Sequence, residues 1–113
     1  MENINEVTLS GKIKDLTVSK QDNGKVAGSF YLEWLLPSPS DDGQACDRVF
    51  CMIFDDVVSI VETAERCGDD ILVHGRLRTK VIRHEGKNKK PVHSVYLAVK
   101  SAFRVLGKGV LYE

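Results

Sequence analysis

Residues 48–83 read RVFCMIFDDVVSIVETAERCGDDILVHGRLRTKVIR, and the period of the apolar positions changes twice within them. From Arg48 to Phe54 the apolar side chains form two alternating sets. Val49, Cys51 and Ile53 take one face, and Phe50, Met52 and Phe54 the other, which is the two-residue period of a strand. At Asp55 the spacing switches: Val57, Ile60, Val61 and Ala64 recur as on one helix face. Asp55 or Asp56 stands at the capping position, and Gly68 stands where a helix ends on a left-handed residue. This predicts one helix of about three turns. From Ile71 the period returns to two. Ile71, Val73, Gly75, Leu77, Thr79 and Val81 share one parity, and His74, Arg76, Arg78 and Lys80 share the other, predicting a strand that runs to Arg83.

Upstream, Val7, Leu9, Gly11 and Ile13 alternate with Thr8, Ser10, Lys12 and Lys14, a half-buried strand with a bend or bulge expected at Gly11. The run Gln21-Asp22-Asn23-Gly24 is a hairpin turn. A second strand places Phe30, Leu32 and Trp34 on one face and Ser29, Tyr31 and Glu33 on the other. Pro37, Pro39 and Gly43 then mark a loop. Downstream, a lysine-rich turn from Glu85 to Pro91 leads into a fifth strand, Val92 to Leu106, with Val95, Leu97 and Val99 opposite Tyr96 and Lys100. Three strands, one helix and two strands, in that order, predict an all-β OB-fold: a five-stranded barrel with its helix between strands three and four. It is expected as one domain over residues 1–113, with its core at about 6–107.

A chain of 113 residues, 42% apolar, can remove roughly 65% of its unfolded surface from water. It needs no disulfide or metal to do so. Its formal charge is zero, but the distribution is lopsided. Arg76, Arg78, Lys80, Arg83, Lys87, Lys89, Lys90 and Lys100 follow one another with only Glu85 against them, while residues before Ile71 are acidic. A one-sided cationic field implies an anionic partner met at one face. Pleating is expected to turn Arg76, Arg78 and Lys80 outward while the other parity fills the barrel. Lys12, Lys14, Arg83, the hairpin lysines and Lys100 extend this to a track for phosphates. Lysines that guard a strand edge against aggregation are the competing reading, and the single sign of the run favours binding.

Base stacking requires exposed rings. Candidates are Phe50, Phe54, Tyr31 and Tyr96, with Trp34 possible at a strand end, although Phe50 and Phe54 serve equally well packed against the helix or another subunit. Trp34, by its parity, is expected to be buried, and Phe30 and Phe103 to be core. His74 reads as a satisfied sheet residue. No nucleophile elbow or phosphate-cradling glycine loop occurs, and the pairs Asp41-Asp42, Asp55-Asp56 and Asp69-Asp70 fall at loops or helix ends, so no enzyme is expected. Cys46, Cys51, Cys67 and the three histidines lack metal-ligand spacing. No metal or cofactor is expected, and the cysteines read as buried or half-buried free thiols. The polar N-terminus begins no signal peptide, and no apolar run suits a membrane span, so a soluble, cytoplasmic protein is expected.

Val7-Thr8-Leu9-Ser10-Gly11-Lys12-Ile13, Asn23-Gly24, Phe30-Tyr31-Leu32, the helix ending at Gly68, and Ile71 to Thr79 resemble, in order and spacing, the bacterial single-stranded-DNA-binding (SSB) protein family over residues 6–107. Gly75-Arg76-Leu77-Arg78-Thr79 is the most specific piece. Two departures stand out. The family's tryptophans on strands three and four are replaced at about Arg48 or Phe50 and at Ile82, and its long tail with an acidic tip is missing. In its shortness, in Phe30 to Glu33 and in the hairpin lysines, the chain resembles the PriB-like primosomal branch; its fourth strand resembles the SSB branch, and both stay open. The resemblance implies non-enzymatic binding of single-stranded DNA in replication, replication restart or repair. Phe50 would stack on a base, and Lys87, Lys89 and Lys90 would contact DNA. It also implies a homodimer or homotetramer, other replication proteins as partners, and association with the nucleoid. The alternative is an OB-fold protein-interaction module whose basic hairpin docks on an acidic partner.

Overall fold

A computed structural model describes residues 3–82, 92–106 and 110–112, and its secondary structure changes where the sequence changes period. The elements are β1 (Val7–Lys20), β2 (Val26–Leu35), β3 (Cys46–Phe54), α1 (Asp56–Cys67), β4 (Asp70–Ile82), β5 (Val92–Leu106) and a short β6 (Val110–Tyr112). Hydrogen-bonded neighbours run β3-β2-β1-β4-β5-β6, and a parallel pairing of Cys51 and Met52 with Leu97 and Ala98 joins β3 to β5. That pairing closes five strands into a barrel with the helix between β3 and β4, the OB-fold architecture that the element order predicts. β6 is an addition: it pairs with the end of β5 through Arg104 and Tyr112.

The barrel interior is filled by the expected alternation. Phe30 and Leu32 of β2, Cys51 and Ile53 of β3, Ile71 and Val73 of β4, and Leu97 of β5 are fully buried. Val58, Val61 and Ala64, three residues apart on α1, close one end of it. Gly68 ends the helix in the left-handed conformation, φ 73°, with its N–H donating to the Glu65 carbonyl at 3.2 Å. At the other end Asp55 occupies the capping position, but its side chain makes no capping bond. Asp69 does more than solvate a helix end. Its carboxylate accepts from Arg104 Nη2 at 2.8 Å and Nε at 3.0 Å, tying the end of α1 to β5.

Two bulges change which side chains face inward. Lys14 pairs with Tyr31 but Thr17 with Ser29, so Asp15 and Leu16 together oppose Phe30; the bulge falls here, while Gly11 stands where β1 passes from pairing with β4 to pairing with β2. On β5, Ser101 pairs with His74 and Val99 with Gly75, leaving Lys100 as the extra residue. The inserted residue reverses the parity beyond it. Ala102 turns into the core, and Phe103, expected there, lies half-buried opposite Leu72.

Two further expectations yield to tertiary context. Trp34 is half-buried rather than buried, because β2 pairs with β1 only as far as Glu33 and Trp34 has Asp47 of β3 as its sole cross-strand neighbour. Leu77 and Val81 do not fill the barrel. β1 leaves β4 at Gly75 and β3 meets β5 only at Cys51 and Met52. Beyond those points β4 and β5 form a ribbon whose apolar face no other described strand covers, leaving Leu77 43%, Val81 44% and Val95 54% exposed.

The three thiols are free, but only Cys51 is buried; Cys46 is half-buried and Cys67 exposed. Desolvation pushes the Cys51 thiol from 9.0 up to about 12, a backbone hydrogen bond involving Leu32 opposing it. The unfolded chain therefore releases this proton at lower pH than the folded one. The contribution to stability is full below about pH 9 and declines as pH climbs toward 12. Thiol titration at neutral pH should modify Cys67 first and Cys51 only after denaturant is added. Fast labelling of Cys51 in the native protein would contradict this core.

Candidate nucleic-acid interface

The outward parity of β1, β2 and β3 assembles a row that no single strand discloses. Register places Lys14 beside Tyr31 and Tyr31 beside Phe50. The two rings meet edge to face, with centroids 5.2 Å apart and planes at 60°. In the next row Lys12, Glu33 and Arg48 stand side by side, and the Arg48 guanidinium carbon lies 4.3 Å from the Tyr31 ring centre. Such a cation–π contact contributes about 0.5–1 kcal/mol at an exposed site. It also keeps the guanidinium beside the ring. Phe54 extends the outer face of β3 and is 46% exposed.

The same surface continues through the barrel closure. Met52 on β3 is the neighbour of Ala98 on β5, and Ala98 is the neighbour of Arg76 on β4. One step along each strand of the ribbon, half-buried Tyr96 pairs with Arg78, and then Ser94 with Lys80. Arg76, Arg78 and Lys80 thus share one exposed face of β4. Lys100, thrown outward by its bulge, joins Arg76, His74, Asn5 and Glu6 around a cleft of about 490 Å³. There His74 Nδ1 lies 2.9 Å from the Thr8 hydroxyl, a satisfied sheet histidine. Among the described residues, no ion pair engages Lys12, Lys14, Arg76, Arg78 or Lys80.

Of the residues singled out in the sequence, Lys12, Lys14 and Phe50 come together around Tyr31. Arg76, Arg78, Lys80 and Tyr96 gather on the ribbon, and Lys100 lies beside Arg76. Phe54 stands at the far end of β3. Arg83, Lys87, Lys89 and Lys90 lie outside the described residues. Arg48 is the residue that sequence reasoning missed: position 48 drew notice only for a missing tryptophan, although it shares the outward parity of Phe50. A half-buried aromatic pair on the barrel exterior, edged by cations, suits a planar, anionic polymer, whose flat groups stack while its charges are neutralised. Among the described residues no cluster of His, Cys, Asp or Glu could hold a metal ion. No described helix is long and apolar enough to cross a membrane.

No protein-family model matches the chain, and no curated protein matches it in sequence. Among solved structures it is similar to Plasmodium falciparum SSB in a complex with ssDNA. The TM-score is 0.71 at 13% identity, covering 100% of this chain and 98% of that one. At that identity the likeness concerns the path of the backbone, and it agrees with the strand order and closure described above: this chain is an OB-fold, built over its whole length like that SSB.

Proposed function

We propose that this protein binds single-stranded DNA across the outer face of β1, β2 and β3, as a non-enzymatic member of the SSB type acting in replication, replication restart or repair. Bases stack on Tyr31 and Phe50. Phosphates are met by Lys12, Lys14 and Arg48 on one side and by Arg76, Arg78 and Lys80 on the other, with Arg83 and the lysines at 87, 89 and 90 extending the track. The observation that carries this reading is the Lys14–Tyr31–Phe50 row with Arg48 over the tyrosine, an exterior aromatic pair flanked by cations. It is further supported by the likeness to an SSB solved with ssDNA. The stacking platform is smaller than a tryptophan-based one, so electrostatics takes a larger share of the affinity.

Anisotropy titration with labelled oligo-dT at several salt concentrations tests the reading. Each neutralised phosphate on a single strand contributes about −0.7 to the slope of log K against log salt, so one phosphate for each of the six described cations predicts a slope of about −4. Absence of binding at low salt would reject the proposal. A competing oligo-rU series separates DNA from RNA preference, and sedimentation with and without oligo-dT measures the expected homodimer or homotetramer.

A further inference from the structure

The outer edge of β4 beyond Gly75 carries a strand position that is unfilled among the described residues. Val7 opposite Gly75 is the last pair that β1 makes with β4. Two residues further on, the Leu77 N–H donates to Asn5 Oδ1 at 3.0 Å, and the Asn5 Nδ2 donates to the Leu77 carbonyl at 2.8 Å. In an antiparallel ladder a residue exchanges both backbone bonds with its partner or neither. Leu77 therefore faces away from β5, and by alternation so do Thr79 and Val81, since the β4–β5 register is unbroken from Gly75 to Ile82. Asn5 ends the ladder by imitating one further strand residue. Past it, the backbone groups of Thr79 and Val81 have no strand beside them among the described residues.

The side chains along this edge specify what fits it. One face of β4 carries Arg76, Arg78 and Lys80; the other carries Leu77 and Val81, with Val95 beside them on β5. We propose that this edge accepts an extended peptide as an added strand, with acidic residues alternating with apolar ones. Its carboxylates lie beside the cations, its apolar side chains cover Leu77, Val81 and Val95, and its backbone pairs with Thr79 and Val81. A second copy of this chain is the wrong partner: edge-to-edge pairing of two β4 strands would set like charges against each other. The inference stands on the edge itself. It shares the β4 cations with the DNA reading, so peptide and DNA compete for them.

The probe is a labelled synthetic peptide alternating glutamate and valine, followed by anisotropy and by hydrogen exchange at the Thr79 and Val81 amides. It should bind about tenfold more tightly than a peptide of the same composition with its glutamates and valines in two blocks, an advantage of about 1.4 kcal/mol from ordered cross-strand pairs. Both amides should gain protection. Thr79→Pro removes a donor that the β4–β5 ladder does not use; it should lower peptide affinity about tenfold and leave oligo-dT affinity unchanged. An N-methylated alternating peptide repeats the test on the unaltered protein and should bind as weakly as the block peptide. Equal binding of the block or N-methylated peptide would reduce the effect to charge attraction and overturn the proposal. So would a dimer of the free chain, held through β4, that the peptide does not displace. Loss of oligo-dT binding with peptide capture intact would sink the DNA reading alone.

Discussion

Replacing Gly75 by alanine is expected to destabilise the barrel by about 3 kcal/mol, read as a lowered urea midpoint. The backbone at Gly75 needs room, not conformational freedom. A Cβ there would run into the Ala98 carbonyl oxygen, with the Ala98 carbonyl carbon at 2.9 Å and the Val99 Cα at 3.0 Å. All three neighbours are main chain, at the bulge around Lys100 and beside the last β1–β4 pair, so none moves without opening the closure. Leu77→Ala, two residues along on the exposed ribbon, should change stability far less, because that side chain is 43% exposed. Equal midpoints for the wild type and Gly75→Ala would show that the closure tolerates displacement of β5. The same shift would disturb the Ala98–Met52 pair, which joins the ribbon to the aromatic face.

The second large effect concerns binding. Phe50→Ala should weaken oligo-dT binding about 10- to 100-fold, the range expected when one base loses its stacking partner. Tyr31→Ala should lose a comparable factor, since it removes both a ring and the seat of Arg48. Because the rings touch, their effects should not be independent, and the double variant should fall short of the product of the two single losses. Both side chains are half-buried on the barrel exterior, so urea midpoints should fall less than for truncation of a core side chain such as Phe30. Phe50→Ala with unchanged oligo-dT affinity would remove the stacking role and leave a purely electrostatic surface. Retained salt dependence in that variant would then locate the binding in the cations alone.

How much of this was legible beforehand varies by element. The helix was readable because Val57, Ile60, Val61 and Ala64 stand between two clean two-residue periods, with Gly68 as a stop, and such local rules need no partner. Phe50 and the cations of β4 were readable as outward by parity. Phe103 was misread because one residue, Lys100, bulges out of β5, and composition gives no sign of such an insertion in a continuous apolar run. Trp34, Leu77 and Val81 were misread for another reason. Parity states which face a side chain takes; it does not state whether a neighbouring strand is still there to cover it. Arg48 escaped notice because its meaning depends on Tyr31, seventeen positions away in sequence and one strand away in space.

The sequence by itself determined the order of the five barrel strands and the helix, the inward set of β2, β3 and the first half of β4, and the side of β4 that carries positive charge. These follow from local periodicity and the handedness of the pleat. Tertiary structure alone decided where the closure stops, and so which apolar side chains remain uncovered. It also decided that Lys14, Tyr31, Phe50 and Arg48 meet, and that no described strand pairs with the edge at Thr79 and Val81. Each of those depends on register between strands distant in the chain, which bulges set and which no run of residues records.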